Sequence, residues 1–193
     1  MPDPTRTVAV RRGSARLSLA ALGGVGAYAL LVRGALTLDL GLGRRVRPLG
    51  PQRVAIGASR EVVFDVVASA YLGRTTKAMR AKLEVIERGS DMVLAAHHTA
   101  VRGFVATTVE TVRFERPDVV HFRLVRGPVP HVVERFVLHD RSGTTELEYR
   151  GELGTDLWGV GSLWGALVAR RWEEAVRVSL AAVKAEAERQ SRR

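Results

Sequence analysis

The architecture follows from residues 162–189, SLWGALVARRWEEAVRVSLAAVKAEAER. Apolar side chains recur along it at helical spacing and share one stripe, which consists of Trp164, Val168, Trp172, Val176, Leu180, Val183 and Ala187. Charged side chains fill the other face, including the spaced pair Glu173 and Arg177. The pattern predicts one long amphipathic helix of about 42 Å, which needs an apolar surface to cover.

The region before this helix supplies such a surface, because the apolar period there changes to two. Short stretches rich in Gly, Pro and Asp separate six predicted strands, at 82–88, 92–102, 104–115, 119–126, 132–139 and 144–153. Short links between consecutive strands predict an antiparallel meander. In the last strand Leu147 and Tyr149 alternate with Glu146 and Glu148. One face of the sheet is therefore expected to be buried, and the other to face water.

A strand and two short helices are predicted ahead of the meander. Residues 53–57 form the strand, Ser59 is a suitable N-cap for a helix over 60–71, and a second helical piece follows at 75–82. The order is β-α-α-β₆-α. It indicates an α+β arrangement in which one long helix covers one curved antiparallel sheet.

This order of elements resembles the SRPBCC superfamily, the START-like, helix-grip group of polyketide cyclases, lipid-transfer domains and plant allergens. The local similarity lies in VAIGASREVVFDVV at 54–67 and in GELGTDLW at 151–158, followed by the long helix. The resemblance covers residues 51–190. It implies a seven-stranded sheet that grips the C-terminal helix around an apolar tunnel. The superfamily shares no catalytic residues, so the resemblance implies a fold and a type of ligand, and no particular chemistry.

Positive charge is concentrated at the N-terminal end. The net charge is +10, and residues 1–53 hold nine Arg and two acidic residues, a net +7. Residues 54–193 are nearly balanced, with 21 basic and 18 acidic side chains. A nucleic-acid binder needs its basic stripe on the folded domain, so we expect no nucleic-acid partner. The excess is better explained as charge that flanks a membrane segment.

The membrane segment is predicted from residues 17–32, which contain no charged side chain. Arg33 can snorkel, so the apolar span extends to residue 37. The chain divides into a basic tail (1–16), a single-pass transmembrane anchor (17–37), a linker (38–50) and the domain (51–190). A signal peptide cleaved near Ala27-Tyr28-Ala29 and a buried hairpin or helix are the alternatives. Arg residues flank both ends almost equally, which leaves the side of the membrane open.

Several kinds of chemistry find no support in the sequence. The absence of Cys excludes disulfides, iron–sulfur clusters and thiol catalysis. No G-x-S-x-G, Walker A or H-E-x-x-H motif is present. His97 and His98 are neighbours on a strand and point to opposite faces. We therefore predict neither a metal site nor a cofactor.

Glu134, Glu110 and His98 are the candidates for acid–base catalysis. Glu134 shares a strand face with Val132 and Phe136, and Glu110 is similarly placed in its own strand. A carboxylate on a buried face is unfavourable unless it is paired. An ion pair with a neighbouring Arg, or a position near the open end of the sheet, is one explanation. The other is a polar group inside a ligand tunnel, where desolvation raises its pKa toward acid–base use.

His98 is expected on the inward face of its strand, together with Met92, Leu94 and Ala96. A hydrogen-bonded core histidine is the alternative to a ligand contact. The residues predicted to line the tunnel and bind the ligand are Tyr71, His98, Phe122, Glu134, Phe136, Tyr149, Trp164 and Trp172.

Two functions are compatible with these features. One is a membrane-anchored binding module for a lipid or another hydrophobic small molecule. The other is an enzyme similar to polyketide cyclases and dehydrases, with acid–base residues in the same cavity. A protein that binds a protein partner is a third, less specific reading. The sequence leaves open the identity of the ligand, the oligomeric state and whether the chain catalyses a reaction.

Overall fold

Strands dominate the computed structural model, which describes residues 26–73, 82–101 and 104–193. The elements follow one another as β1 (Arg45–Ile56), α1 (Arg60–Leu72), β2 (Leu83–Arg88), β3 (Met92–Val101), β4 (Phe104–Glu115), β5 (Val119–Arg126), β6 (His131–Asp140), β7 (Thr145–Thr155) and α2 (Trp158–Ser191). The helix predicted at 75–82 falls almost wholly outside the described residues. The predicted meander and the long C-terminal helix are confirmed.

All seven strands form one antiparallel sheet, in the order β1-β7-β6-β5-β4-β3-β2. Strands β2 to β7 are a simple meander, and β1 returns to pair with β7. The two helices pack on one side of this curved sheet. The architecture is the predicted α+β layer arrangement, in which the sheet wraps α2.

The core lies between α2, α1 and the inward face of the sheet. Alternation in β7 buries Leu147, Tyr149 and Leu153 completely. The apolar stripe of α2 meets them through Val168, Val176, Leu180 and Ala187, with Trp164, Trp172 and Val183 partly buried. Ser59 caps α1, because its side chain accepts a hydrogen bond from the Val62 amide.

The first strand begins earlier than the sequence predicts. It starts at Arg45, so residues 45–50 of the predicted linker belong to the sheet. Pro48 and Pro51 suggested a linker, but β1 is an edge strand, where a missing backbone N–H is tolerated. The register shifts between Leu49 and Gln52. This bulge contacts α2, since Nε2 of the Gln52 side chain donates a hydrogen bond to the backbone carbonyl of Glu173 at 3.0 Å.

The segment before β1 packs against the domain. Residues 26–32 are helical, and the chain then turns at Gly34, whose φ of +65° favours glycine. Val32 is buried. The Thr37 hydroxyl donates to the Gly127 carbonyl at 2.8 Å and accepts from the Gly127 amide at 3.1 Å.

The structure describes only part of the predicted membrane anchor. Residues 17–25 lie outside the described residues. Within the described part, the helix ends at residue 32 and residues 33–37 follow the domain surface. Across the described ranges, no helix combines the length and the hydropathy that a bilayer crossing requires.

Asp156, at the end of β7, holds the N-terminal segment in place. Its carboxylate accepts from the Leu40 amide at 2.6 Å, from the Gly41 amide at 2.8 Å and from Arg44 Nε at 2.7 Å. Asp156 is 5% exposed. These hydrogen bonds, above all that from Arg44, lower the pKa of Asp156 to about 2. We call Asp156, Arg44 and the Leu40 and Gly41 amides the N-terminal clamp.

Candidate functional site

A cavity of about 870 Å³ lies between the sheet, α1 and α2. It is of the size that small-molecule sites in proteins have, about 300–1,000 Å³. Most of its wall is apolar. Every layer of the fold contributes to that wall, through Val32, Val67, Ala70, Leu83, Phe122, Phe136, Val168 and Val176 among others.

Five of the residues predicted to bind a ligand line this cavity, namely Tyr71, Phe122, Glu134, Phe136 and Trp172. Two others lie outside the lining. Tyr149 is fully buried in the core behind the cavity wall. Trp164 donates from Nε1 to the Pro128 carbonyl at 2.8 Å, and its ring contacts Tyr28 edge-on. Sequence periodicity placed both on the inward face, but it does not distinguish the cavity wall from the packed core.

The prediction that His98 faces inward is wrong. His97 and Thr99 line the cavity, whereas His98 Nδ1 lies 3.2 Å from the Thr107 hydroxyl on the other face. Val93 and Ala95, and not Met92 and Leu94, are the buried partners of this strand face. Residues 92–96 are apolar at every position, so alternation alone could not fix which set points inward.

Aromatic side chains form the inner wall of the cavity. The rings of Phe122 and Phe136 lie 5.2 Å apart between centroids, and Phe136 and Tyr149 lie 5.8 Å apart, both edge to face. Tyr71 of α1 adds a contact of 6.0 Å to Phe122. Edge-to-face contacts of this kind stabilise fixed ring positions, so this side of the cavity has a defined shape.

Glu134 is a carboxyl group in the cavity wall that is 9% exposed. Its Oε2 accepts hydrogen bonds from the Tyr149 hydroxyl and from Trp172 Nε1, each at 2.7 Å. The explanation that an Arg neutralises Glu134 is wrong for the described residues, since both of these donors are neutral. The position of Glu134 in the cavity wall agrees with the other explanation, a polar group inside a ligand tunnel.

Glu110 is a second buried carboxyl group, 3% exposed, in the same cavity wall. Its Oε1 accepts from the Thr108 hydroxyl at 2.8 Å. Its Oε2 lies 3.8 Å from His97 Nε2, beyond hydrogen-bond distance. His97 Nε2 is buried and has no hydrogen-bond partner among the described residues.

Burial shifts the pKa values of Glu134, Glu110 and His97. Burial raises the pKa of Glu134 and the neighbouring Glu110 raises it too, whereas the hydrogen bonds from Tyr149 and Trp172 lower it, and the pKa that results is about 8. Burial likewise raises the pKa of Glu110 to about 7. Burial lowers the pKa of His97 to about 4. At neutral pH Glu134 retains its proton, Glu110 is about half protonated and the His97 imidazole is neutral, so the site can donate and accept protons.

Sequence reasoning missed two parts of the cavity. His97 was assigned to the opposite strand face, for the reason given above. Val32 was counted as part of a membrane anchor, yet it lines the cavity from the N-terminal segment. An uncharged stretch is equally compatible with lipid and with a protein interior, so no signal in the sequence distinguished these two surroundings.

One group of side chains in the described ranges has the spacing of metal ligands. His139, Glu146 and Glu148 place ligand atoms within 4.8 Å of one another on the outer face of the sheet. Glu148 already pairs with Arg53 at 2.6 Å and with Arg150. Two guanidinium groups therefore compete with a cation there, and the cluster is explained as an ion-pair network.

Solved structures of similar architecture exist. The Zhui aromatase/cyclase from Streptomyces sp. R1128 is 19% identical, with a TM-score of 0.60 over 76% of this chain and 95% of that chain. TTHA0849 from Thermus thermophilus is 16% identical, with a TM-score of 0.58 over 76% and 99%. The di-domain ARO/CYC BexL from the BE-7585A biosynthetic pathway is 16% identical, with a TM-score of 0.56 over 98% and 61%.

At these identities the similarity shows the fold alone, and it confirms the helix-grip arrangement predicted from the order of elements. No family model matches the chain, and no curated protein matches it.

Proposed function

We propose that this chain is a binding module for a hydrophobic small molecule, held in the cavity between the sheet and α2. The observation that carries the proposal is an apolar cavity of about 870 Å³ with a few convergent polar groups. Transfer of apolar ligand surface from water into such a cavity is favourable in itself. The Zhui and BexL proteins are named aromatase/cyclases, which supports an organic molecule as the occupant.

The test is ligand recovery and ligand exclusion with the full chain. We expect mass spectrometry of solvent extracts to recover an apolar molecule, and a neutral fluorescent apolar probe to bind. Ala175→Phe, which fills the cavity from α2, should weaken binding of the probe at least about tenfold. Ala181→Phe is the matched control, because Ala181 lies on the same helix outside the lining. Empty extracts together with no binding of the probe would refute the proposal.

Acid–base catalysis in the same cavity is the second candidate function. The buried carboxyl of Glu134 supports it, because its pKa of about 8 suits proton transfer near neutral pH. A deuterated β-diketone, 1-phenylbutane-1,3-dione, is a suitable probe of proton abstraction. Glu134→Gln should slow loss of the α-deuterium about a hundredfold without loss of binding. The exposed Glu152→Gln is the control, and equal rates in both variants would exclude Glu134.

We also propose that the N-terminal part attaches the chain to a membrane. Leu36, Leu38, Leu40 and Leu42 are exposed. The Leu42 carbonyl accepts from the Leu157 amide, so these side chains adjoin the start of α2. Val160 and Leu163 there are also exposed, at 73% and 77%. Apolar surface beside an Arg-rich stretch favours an anionic bilayer.

Vesicle flotation with the full chain tests this attachment. Binding to vesicles of phosphatidylglycerol and phosphatidylcholine should exceed binding to phosphatidylcholine alone. Leu163→Glu should reduce it, whereas Ile86→Glu, at the other edge of the sheet, should not. The proposed membrane attachment would be refuted if the chain stayed with the soluble fraction in cells and floated with neither kind of vesicle.

A further inference from the structure

Four polar side chains converge on one part of the cavity wall. Tyr71 comes from α1, His97 from β3, Glu110 from β4 and Glu134 from β6. The rings of Tyr71 and His97 lie 5.8 Å apart. Tyr71, Glu110 and Glu134 are each more than nine-tenths buried, with 8%, 3% and 9% exposure. We call these four residues the polar corner.

Each carboxyl group of the polar corner has one oxygen in use and one to spare. Glu134 Oε2 accepts two hydrogen bonds, and Glu110 Oε1 accepts one. Among the described residues, no hydrogen bond satisfies Glu134 Oε1, Glu110 Oε2, the Tyr71 hydroxyl or His97 Nε2. Of these atoms His97 Nε2 is fully enclosed, and a buried polar atom is normally hydrogen-bonded. The other three belong to side chains that line the cavity, and together the four spare atoms indicate a bound polar group.

Within the described ranges, no positively charged side chain pairs with the polar corner. Glu110 and Glu134 have no Lys or Arg partner there. Lys82 and Arg171 line the cavity, but both are exposed to solvent. An ionised carboxylate in an apolar surrounding is unfavourable without a partner. Burial of one cationic group beside these two acids would balance the charge of one ionised carboxylate, while the other acid keeps its proton.

We infer that the polar corner binds the protonated nitrogen of an amphiphilic amine, whose apolar remainder fills the rest of the cavity. This inference deepens the proposed binding function and rests on it. An ammonium group has three donors, which match Glu134 Oε1, Glu110 Oε2 and the Tyr71 hydroxyl as acceptors. Hydrogen bonds between charged groups are about twice as strong as neutral ones.

The same geometry disfavours other ligand classes. A fatty acid would bring a third carboxyl group into the same apolar site, where its ionised form finds no buried cation among the described residues. A neutral alcohol would satisfy one or two of the spare atoms and would supply no positive charge. Binding of an ammonium ion should also release protons, because the carboxyl groups that retain them become ionised in the complex.

The test compares decylamine, decanol and decanoate, which share one chain and differ in the head group. Titration calorimetry on the full chain at pH 7.5, below micellar concentrations, should show decylamine binding at least about tenfold more tightly than decanol. Decanoate should bind most weakly. The heat of decylamine binding should differ between phosphate and Tris buffers, because protons are released, while that of decanol should not.

The variant Glu110→Gln/Glu134→Gln separates this inference from the proposed function. It should lose the preference for decylamine and the proton release, so that decylamine and decanol bind with similar affinity, and a native far-UV circular dichroism spectrum shows that it is folded. Equal affinity for amine and alcohol in the wild type, or a preference that survives in the variant, would overturn the amine inference alone. No binding of any of the three probes would overturn the proposed function as well.

Discussion

Asp156 and Glu134 are both buried carboxyl groups, and their surroundings are opposite. Asp156 accepts from the Arg44 guanidinium and from two backbone amides, and its pKa falls to about 2. Glu134 accepts only from the neutral Tyr149 and Trp172, and its pKa rises to about 8. Burial is similar in the two places, at 5% and 9% exposure. The difference lies in the desolvation of Glu134 within the apolar cavity wall and in the cation beside Asp156.

This contrast separates a structural carboxylate from a functional one. The N-terminal clamp satisfies its charge completely, and Glu148 is satisfied in the same way by Arg53 and Arg150. The polar corner leaves part of its hydrogen-bonding capacity open toward a cavity. Incomplete satisfaction beside an apolar cavity is typical of binding and catalytic sites.

The largest expected effect is a loss of stability at alkaline pH caused by the polar corner. Glu134 and Glu110 have pKa values in the folded chain, about 8 and about 7, above those of the unfolded chain. Their contribution to stability is complete below about pH 4.5 and is lost as the pH rises through 7 to 8. We expect the free energy of unfolding to fall by several kcal/mol between about pH 4.5 and about pH 8, because each unit of displaced pKa corresponds to about 1.4 kcal/mol for each group.

Urea unfolding at several pH values between 5 and 9 measures this slope. In Glu110→Gln/Glu134→Gln the fall should be largely absent, so the variant should become more stable than the wild type at pH 9. If the free energy of unfolding changed with pH in the same way in both proteins, the two carboxyl groups would have to be stabilised in their ionised form. The contrast with Asp156 in the N-terminal clamp would then not exist.

The next effect concerns the clamp, and its dependence on pH has the opposite direction. Asp156→Asn should lower the melting temperature by about 5 °C at pH 7. Because the folded pKa is depressed, the stability that Asp156 supplies is present above about pH 4 and is lost as the pH falls toward 2. Asp39→Asn is the control, since Asp39 pairs with the same Arg44 but is exposed. Hydrogen exchange should accelerate at the Leu40 and Gly41 amides only in Asp156→Asn.

A smaller effect separates two tryptophans of α2. Trp172→Phe removes a donor from Glu134, and Trp164→Phe removes one from the Pro128 carbonyl. Each variant should lose about 1 kcal/mol of stability. Only Trp172→Phe should raise the pKa of Glu134 further, as measured by carboxyl-carbon NMR titration. A shift of equal size in Trp164→Phe would show that general loosening, and not the lost donor, controls this pKa.

The smallest effect is expected at the surface of α2. Arg177 and Glu174 form an exposed pair at 2.6 Å, where solvent screens both charges. Arg177→Gln should change the melting temperature by less than about 2 °C. A scanning calorimetry difference as large as that of Asp156→Asn would mean that exposure does not separate weak from strong ion pairs in this chain.

Periodicity was sufficient to predict most of the fold. Strands β4 to β7 alternate clearly, and α2 carries an apolar stripe, so the elements and their antiparallel order followed from residue spacing. The start of β1 did not follow, because two prolines imitate a linker and only the edge position of the strand explains them.

The site could be predicted only in part. Glu110 and Glu134 were found because each is a single charge on an otherwise apolar strand face. His97 was missed because β3 is apolar on both faces near Ala95 and Ala96. The membrane anchor stays a proposal, since residues 17–25 lie outside the described residues.

Where apolar and polar residues alternate, as in β6 and β7, residue spacing was enough to predict which side chains point inward, because burial repeats with the period of the backbone. In β3 it was not enough, and in no strand did spacing predict which inward side chains meet. Glu134, Tyr149 and Trp172 are distant in sequence and come together across β6, β7 and α2. The same packing gave Asp156 an Arg and left Glu134 with neutral donors. Residue type and burial are local properties, whereas the charge next to a buried carboxyl depends on contacts between distant segments.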